Sequence, residues 1–230
     1  DEMVSAAEKT GFKLIFGLFG GDYSKTNTQD QKIYDALLTK NSLVADEISA
    51  NFGSSPCFAG WYITEEFHDG TWPVGWHADK ARDMLGTYLN SVAKYAKSKN
   101  DKPVCIAPAL WRGMPADLCG KWFEGLFKNT PDVDVLYLQD CAGRGPSTNY
   151  FSHIKKACDN TGVKFGVDVE SFMSCSSPEI PYQAKNWEEL KLQLEMAGNF
   201  TDFITNFSWA TFKPGTGGFN EYKEYVEMYK

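Results

Sequence analysis

The sequence predicts an α/β protein built as a (β/α)8 TIM barrel, with six βα units visible along 230 residues. Three observations lead there. Short apolar runs alternate with stretches of helical period and no linker interrupts them, so residues 1–230 read as one domain. Four consecutive strands end in polar or acidic residues, as strands do at a barrel mouth. No GxGxxG or GxxxxGK[ST] follows any strand, which leaves a doubly wound nucleotide-binding sheet without support.

Residues 1–10 read as the tail of a helix stopped by Gly11, and Phe12–Phe19 as a strand entering Gly20-Gly21-Asp22. Ile33, Leu37, Val44 and Ile48 give 29–52 its helical spacing. The turn signal Gly53-Ser54-Ser55-Pro56 precedes a strand from Phe58, which runs out into Glu65, Glu66, His68 and Asp69. Met84, Leu85, Leu89 and Val92 form one stripe of a helix over 78–99. Strand Pro103–Leu110 leads to Trp111-Arg112-Gly113 and a helix near Asp117–Lys128. Strand Val133–Gln139 is followed by a helix around Tyr150–Asn160, closed by Gly162. Strand Val163–Val169, helix Trp187–Met196, strand Asp202–Phe207 and helix Asn220–Tyr229 complete the order, with no second hairpin system expected. A barrel has eight units in about 250 residues, so two strands on about 60 further residues are expected at the N-terminus or from a second polypeptide.

The formal charge of −7 argues against nucleic acid or an anionic membrane as partner, since both need a basic face. No apolar run reaches the roughly 18 residues that span a bilayer. The six cysteines show no CxxC spacing, so no zinc site is expected, nor any other metal or cofactor. Their even number, with sequons at Asn199 and Asn206, points to a secreted, disulfide-containing glycoprotein. Cys141 and Cys175 each follow a strand and could be bridged across the mouth, whereas Cys105 reads as a buried thiol.

Alternate residues of a strand share a face, so Tyr62, Thr64 and Glu66 point one way and Ile63 and Glu65 the other. Ile63 suits the face under the helices, which turns Glu66 into the mouth. Glu170 ends a later strand and shares its face with Asp168; Gln139 and Asp140 end the strand before it. Two converging carboxyls are what glycoside hydrolysis requires: one protonates the leaving oxygen, and the other attacks or activates water. Asp168 beside Glu170, or Glu65 beside Glu66, could supply the charge that holds one proton at neutral pH. Trp72, Trp76, Trp111 and Trp209 are candidates to stack on sugar faces, and Arg112 and His68 to bind polar substituents.

The runs Val44-Ala45-Asp46-Glu47, Gly60-Trp61-Tyr62-Ile63-Thr64-Glu65-Glu66, Gln139-Asp140-Cys141-Ala142-Gly143 and Asp168-Val169-Glu170-Ser171-Phe172 resemble the domain-of-unknown-function family numbered 4434. That family is regarded as a set of barrel proteins related to glycoside hydrolases. Thr64 stands where it usually has proline. The resemblance implies the barrel and two further strands before Phe12–Phe19, so Glu66 would end the fourth strand and Glu170 the seventh.

By analogy with the large retaining barrel clan, Glu66 is then the acid/base and Glu170 the nucleophile. That clan usually carries Asn before its acid/base, where this chain has Glu65. Tyr62, Glu65, His68, Trp72, Trp111, Arg112, Gln139, Asp140, Asp168 and Trp209 would contact a poly- or oligosaccharide. Two alternatives stand beside this. Asp168 and Glu170 could act as a pair in a substrate-assisted hydrolase of N-acetylated sugars, or the barrel could bind saccharide without turning it over.

Overall fold

The computed structural model describes residues 2–20, 30–68, 79–110, 114–142, 148–174, 182–208, 214–215 and 218–228. Six strands form one parallel sheet: β1 (Leu14–Gly17), β2 (Phe58–Ile63), β3 (Val104–Ile106), β4 (Val135–Gln139), β5 (Lys164–Glu170) and, last in the sheet, β8 (Ile204–Phe207). The sheet is curled into an incomplete barrel. Each strand pairs with its neighbours in chain order until β5, which pairs directly with β8. Among the described strands, β1 and β8 pair on one side only.

Helices separate the strands: α1 (Glu2–Thr10), α2 (Gln31–Phe52), α3 (Asp79–Lys99), α4 (Ala116–Lys128), α5 (Phe151–Thr161), α6 (Trp187–Gly198) and α7 (Phe219–Met228). Their ends follow local chemistry. Asp30 caps α2 by accepting the Lys32 N–H at 3.0 Å, and Asn186 caps α6 through the Glu189 N–H at 2.9 Å. Gly162 ends α5 at φ +80°, a left-handed conformation that costs other residues a steric penalty.

The core lies between the sheet and its helices. Trp61, Ile63, Val104, Ile106, Leu136, Leu138, Val167 and Val169 are fully buried on the helix side, opposite Leu89, Phe123, Leu126 and Ile154. The register shift between Leu14 and Ile15 skips Ala59, which lets Phe58 and Trp61 both reach this side and meet edge to face at 4.7 Å. The opposite, concave face carries Ile15, Gly60, Cys105, Tyr137 and Lys164 around an open cavity of about 370 Å3. Glycine is required at 166, because a Cβ there would lie 2.6 Å from the Tyr137 ring and 2.9 Å from the Phe203 carbonyl.

Two expectations change. A short antiparallel hairpin, β6 (Phe172–Ser174) with β7 (Tyr182–Ala184), stands between β5 and α6, where no hairpin is expected from the sequence. The strand expected over 103–110 is three residues long in the sheet, Val104–Ile106, and resumes only as single bridges of Ala109 to His68 and Gln139. The Ala109 N–H donates to the Phe67 carbonyl at 3.1 Å, so these bridges continue the β2–β3–β4 ladder into the mouth.

Candidate active site

Glu65 and Glu66 separate as the period of two requires. Glu65 is wholly buried on the helix side, where its Oε1 accepts the Tyr88 hydroxyl of α3 at 2.8 Å. That hydroxyl also accepts from Asn41 Nδ2 of α2 at 3.0 Å, and Asn41 Oδ1 takes the Phe19 N–H at 3.1 Å. Burial, with the Glu65 charge adding to it, pushes the Tyr34 phenol up to about 12, and the same two causes raise Tyr88 further. Glu65 therefore braces the segment after β2 against α2 and α3, away from the position expected for a substrate ligand. Glu66 is half-buried on the other side, and its charge reaches Asp168 three strands away in the sheet.

Asp168 lies on the concave side of β5, opposite Thr205 of β8, whose hydroxyl donates to Asp168 Oδ1 at 2.9 Å. Burial pushes its carboxyl up to about 6; the Thr205 hydrogen bond opposes this, and the charges of Asp140 and Glu66 reinforce it. Glu170, on the same face at the strand's end, is 6% exposed. Its neighbour across the ladder is Phe207, 58% exposed, which packs edge to face with Phe172 at 6.0 Å.

Asp140 does not face the mouth. It follows Leu138 by two and so falls on the helix side, 3% exposed. Its Oδ1 accepts the N–H groups of Ala142 at 3.1 Å and Glu170 at 3.0 Å, and its Oδ2 accepts Gln193 Nε2 of α6 at 2.7 Å. Both oxygens hold protein groups, contrary to a role in binding sugar. Gln139 is half-buried on the concave side and donates from Nε2 to the Ala107 carbonyl at 2.9 Å. Tyr62 and His68 are both half-buried along the extended β2 line. Trp72, Trp76, Trp111, Arg112 and Trp209 lie outside the described residues, as does Cys175.

Cys57, Cys105 and Cys158 are buried thiols, and burial pushes Cys105 up to about 12. No disulfide joins two of the described cysteines. No helix among the described residues is long and apolar enough to cross a membrane. Among them, no group of three or more His, Cys, Asp or Glu side chains could hold a metal ion.

Sequence reasoning missed the polar groups behind this face. Lys185, which follows β7, is 5% exposed and donates from Nζ to the Glu170 carbonyl at 3.1 Å and to Gln193 Oε1 at 2.7 Å. Nothing around Lys185 or Gln193 in the sequence marks them as interior. For Asp140 the signal was present: the alternation that separates Glu65 from Glu66 also separates Gln139 from Asp140.

A curled parallel sheet of six strands, joined by helices packed on one face, defines an α/β fold of the TIM-barrel class. Within that class the chain belongs to the family described as Domain of unknown function (DUF4434), whose model matches residues 1–216. It is 26% identical over 180 residues to the uncharacterised protein YbcH of Escherichia coli (strain K12), covering 74% of this chain. The chain spans 57% of the length of that relative.

Among solved structures it is similar to a candidate alpha-L-fucosidase from Bacteroides thetaiotaomicron, with TM-score 0.77 and 22% identity over 98% of this chain and 70% of the other. It is also similar to a GH18 chitinase from Pseudoalteromonas aurantia, with TM-score 0.59 and 13% identity over 98% of this chain and 80% of that one. A GH10 protein from Paenibacillus barcinonensis gives TM-score 0.51 and 15% identity over 95% and 73% of the two chains. These likenesses establish the fold.

Proposed function

We propose that the chain is the catalytic barrel of a retaining glycoside hydrolase acting on a poly- or oligosaccharide, with Glu66 as acid/base and Glu170 as nucleophile. The observation that supports it is placement: Glu66 follows β2, and Glu170 ends β5 on the same face as Asp168, both at the carboxyl ends of strands in one parallel sheet. Glu66 protonates the glycosidic oxygen as the Glu170 carboxylate attacks the anomeric carbon. Glu66 then deprotonates the water that releases the sugar from Glu170. Retention requires carboxyls about 5–5.5 Å apart in the substrate complex.

The test is turnover of a panel of aryl glycosides, fucosides and N-acetylhexosaminides included, followed by proton NMR of the first anomer released. Glu170→Gly is expected to lose at least about 10^3-fold in kcat and to form a glycosyl azide when azide is added. Glu66→Ala is expected to keep activated aryl substrates and lose unactivated ones. Full activity of both variants would refute the assignment. Intact saccharide affinity with no turnover in any form would make the barrel a lectin-like binder.

The high proton affinity of Asp168 beside Glu170 favours a second reading, a substrate-assisted hydrolase using that pair. Strict dependence of turnover on an N-acetyl group distinguishes it.

Two further parts of the proposal concern setting. The protein works outside the cell, where a Cys141–Cys175 bridge could form and Asn199, exposed at the end of α6, could carry glycan. Asn206 is a poorer acceptor, since its amide is engaged with Val169 and Ser171. Two further parallel strands, from an N-terminal segment or a second polypeptide, close the barrel between β8 and β1.

A further inference from the structure

We propose that Asp140, Gln193 and Lys185 form a positioning clamp that fixes Glu170 at the barrel mouth and keeps a positive charge near its carboxylate. The inference rests on the glycosidase reading above and adds three residues to its machinery, none of which touches substrate.

The clamp grips both peptide groups of Glu170. On the amino side, its N–H donates to Asp140 Oδ1 at 3.0 Å, while the Asp140 N–H donates to the Asp168 carbonyl at 3.0 Å. On the carboxyl side, its carbonyl accepts Lys185 Nζ at 3.1 Å and Gln193 Nε2 at 3.3 Å. Gln193 ties the halves together, donating to Asp140 Oδ2 at 2.7 Å and accepting from Lys185 Nζ at 2.7 Å. The backbone locks the same point: the Lys185 N–H donates to the Ser171 carbonyl at 2.9 Å, and the Ser171 N–H to the Phe207 carbonyl at 3.0 Å. Three separate elements thus converge on one residue at the end of one strand.

Packing gives no reason for a cation here. A lysine 5% exposed is unusual, and an apolar side chain of similar length would fill the space without the cost of desolvating an ammonium. The charges acting on it come from three places: Asp140 after β4, Glu170 on β5 and Glu189 on α6. Asp168 and Glu66 add negative charge to the same mouth. Burial lowers the proton affinity of Lys185, and Asp140, Glu170 and Glu189 oppose that. The interaction is mutual, so the ammonium favours the ionised form of Glu170, the form a nucleophile needs. Asp168, on the same face, is instead raised to about 6 by burial, with the charges of Asp140 and Glu66 adding to it.

The test compares the intact chain with Lys185→Met, Lys185→Arg and the near-isosteric Gln193→Glu, which sets a negative charge against the ammonium. Carbon-13 NMR of the carboxyls, with Glu170 assigned through Glu170→Gln, reads the titration midpoint directly. Lys185→Met and Gln193→Glu are each expected to raise the Glu170 midpoint by about one unit, and Lys185→Arg to leave it near the native value. Turnover in both raising variants should lose its acidic limb at correspondingly higher pH, with kcat falling more than KM changes. An unmoved Glu170 midpoint in Gln193→Glu, or in a folded Lys185→Met, overturns the clamp. The NMR midpoint decides this even if no glycoside is turned over, an outcome that would refute the glycosidase reading alone.

Discussion

Asp168 shows how the site sets single-residue chemistry against stability. Its carboxyl binds a proton more tightly in the folded chain, at about 6 against an ordinary 3.8. The native state therefore holds more protons than the unfolded chain between those values, and stability falls as pH rises through that window. Asp168→Asn keeps an acceptor for the Thr205 hydroxyl and removes the titration. At pH 7 the variant is expected to be more stable by on the order of 1 kcal/mol, or about 2–4 °C in Tm. Its curve of Tm against pH should be flatter between about 4 and 6. A thermal scan series across that range checks this, and coincident curves would mean that Asp168 is solvated like a surface carboxylate. Residues of this kind were partly legible from sequence. Alternation along β2 separates Glu65 from Glu66 because Ile63 fixes the helix side. Lys185 was illegible, because only the tertiary fold brings β7 and α6 against the end of β5.

At the scale of elements, the helix layer is held closest where glycine allows it. Gly120 on α4 faces α5, and a Cβ there would lie 2.9 Å from the His153 carbonyl oxygen and 3.1 Å from its Cβ. Gly120→Ala gains up to about 1 kcal/mol of helix propensity but must push two backbones apart, which costs about 1–3 kcal/mol. A net loss of about 1–2 kcal/mol is expected in urea denaturation, and an unchanged midpoint would show that α4 can slide freely on α5. The helices were the most legible elements, since stripes such as Leu85, Leu89 and Val92 persist over several turns and all three are buried. The β6–β7 hairpin was not. Strands of three residues, Phe172–Ser174 and Tyr182–Ala184, are too short to show an alternation.

Over the whole molecule, β1 and β8 each pair on one side only among the described residues, and apolar side chains are exposed on or beside both. Ile15 on β1 is 49% exposed and Phe207 on β8 58%, while Phe203 just before β8 is 44% exposed. Unpaired edges with apolar neighbours seek other strands. The 230-residue chain by itself is expected to associate in a concentration-dependent way in sedimentation experiments, and Ile15→Lys to reduce that association. Slow amide exchange throughout β1 and β8 in a monomeric chain would contradict an open barrel.

The connections between elements are unequal at the two rims. From the end of a sheet strand to the next α-helix the chain spans 18–30, 64–78, 107–115, 140–150, 171–186 and 208–218, whereas from a helix's end to the next sheet strand it spans only 11–13, 53–57, 100–103, 129–134, 162–163 and 199–203. Length can therefore be added or exchanged where the carboxylates sit, while the tight rim keeps the strands in step. A loop-exchange library confined to those six segments is expected to keep its fold, and, under the proposed hydrolase function, to vary its specificity.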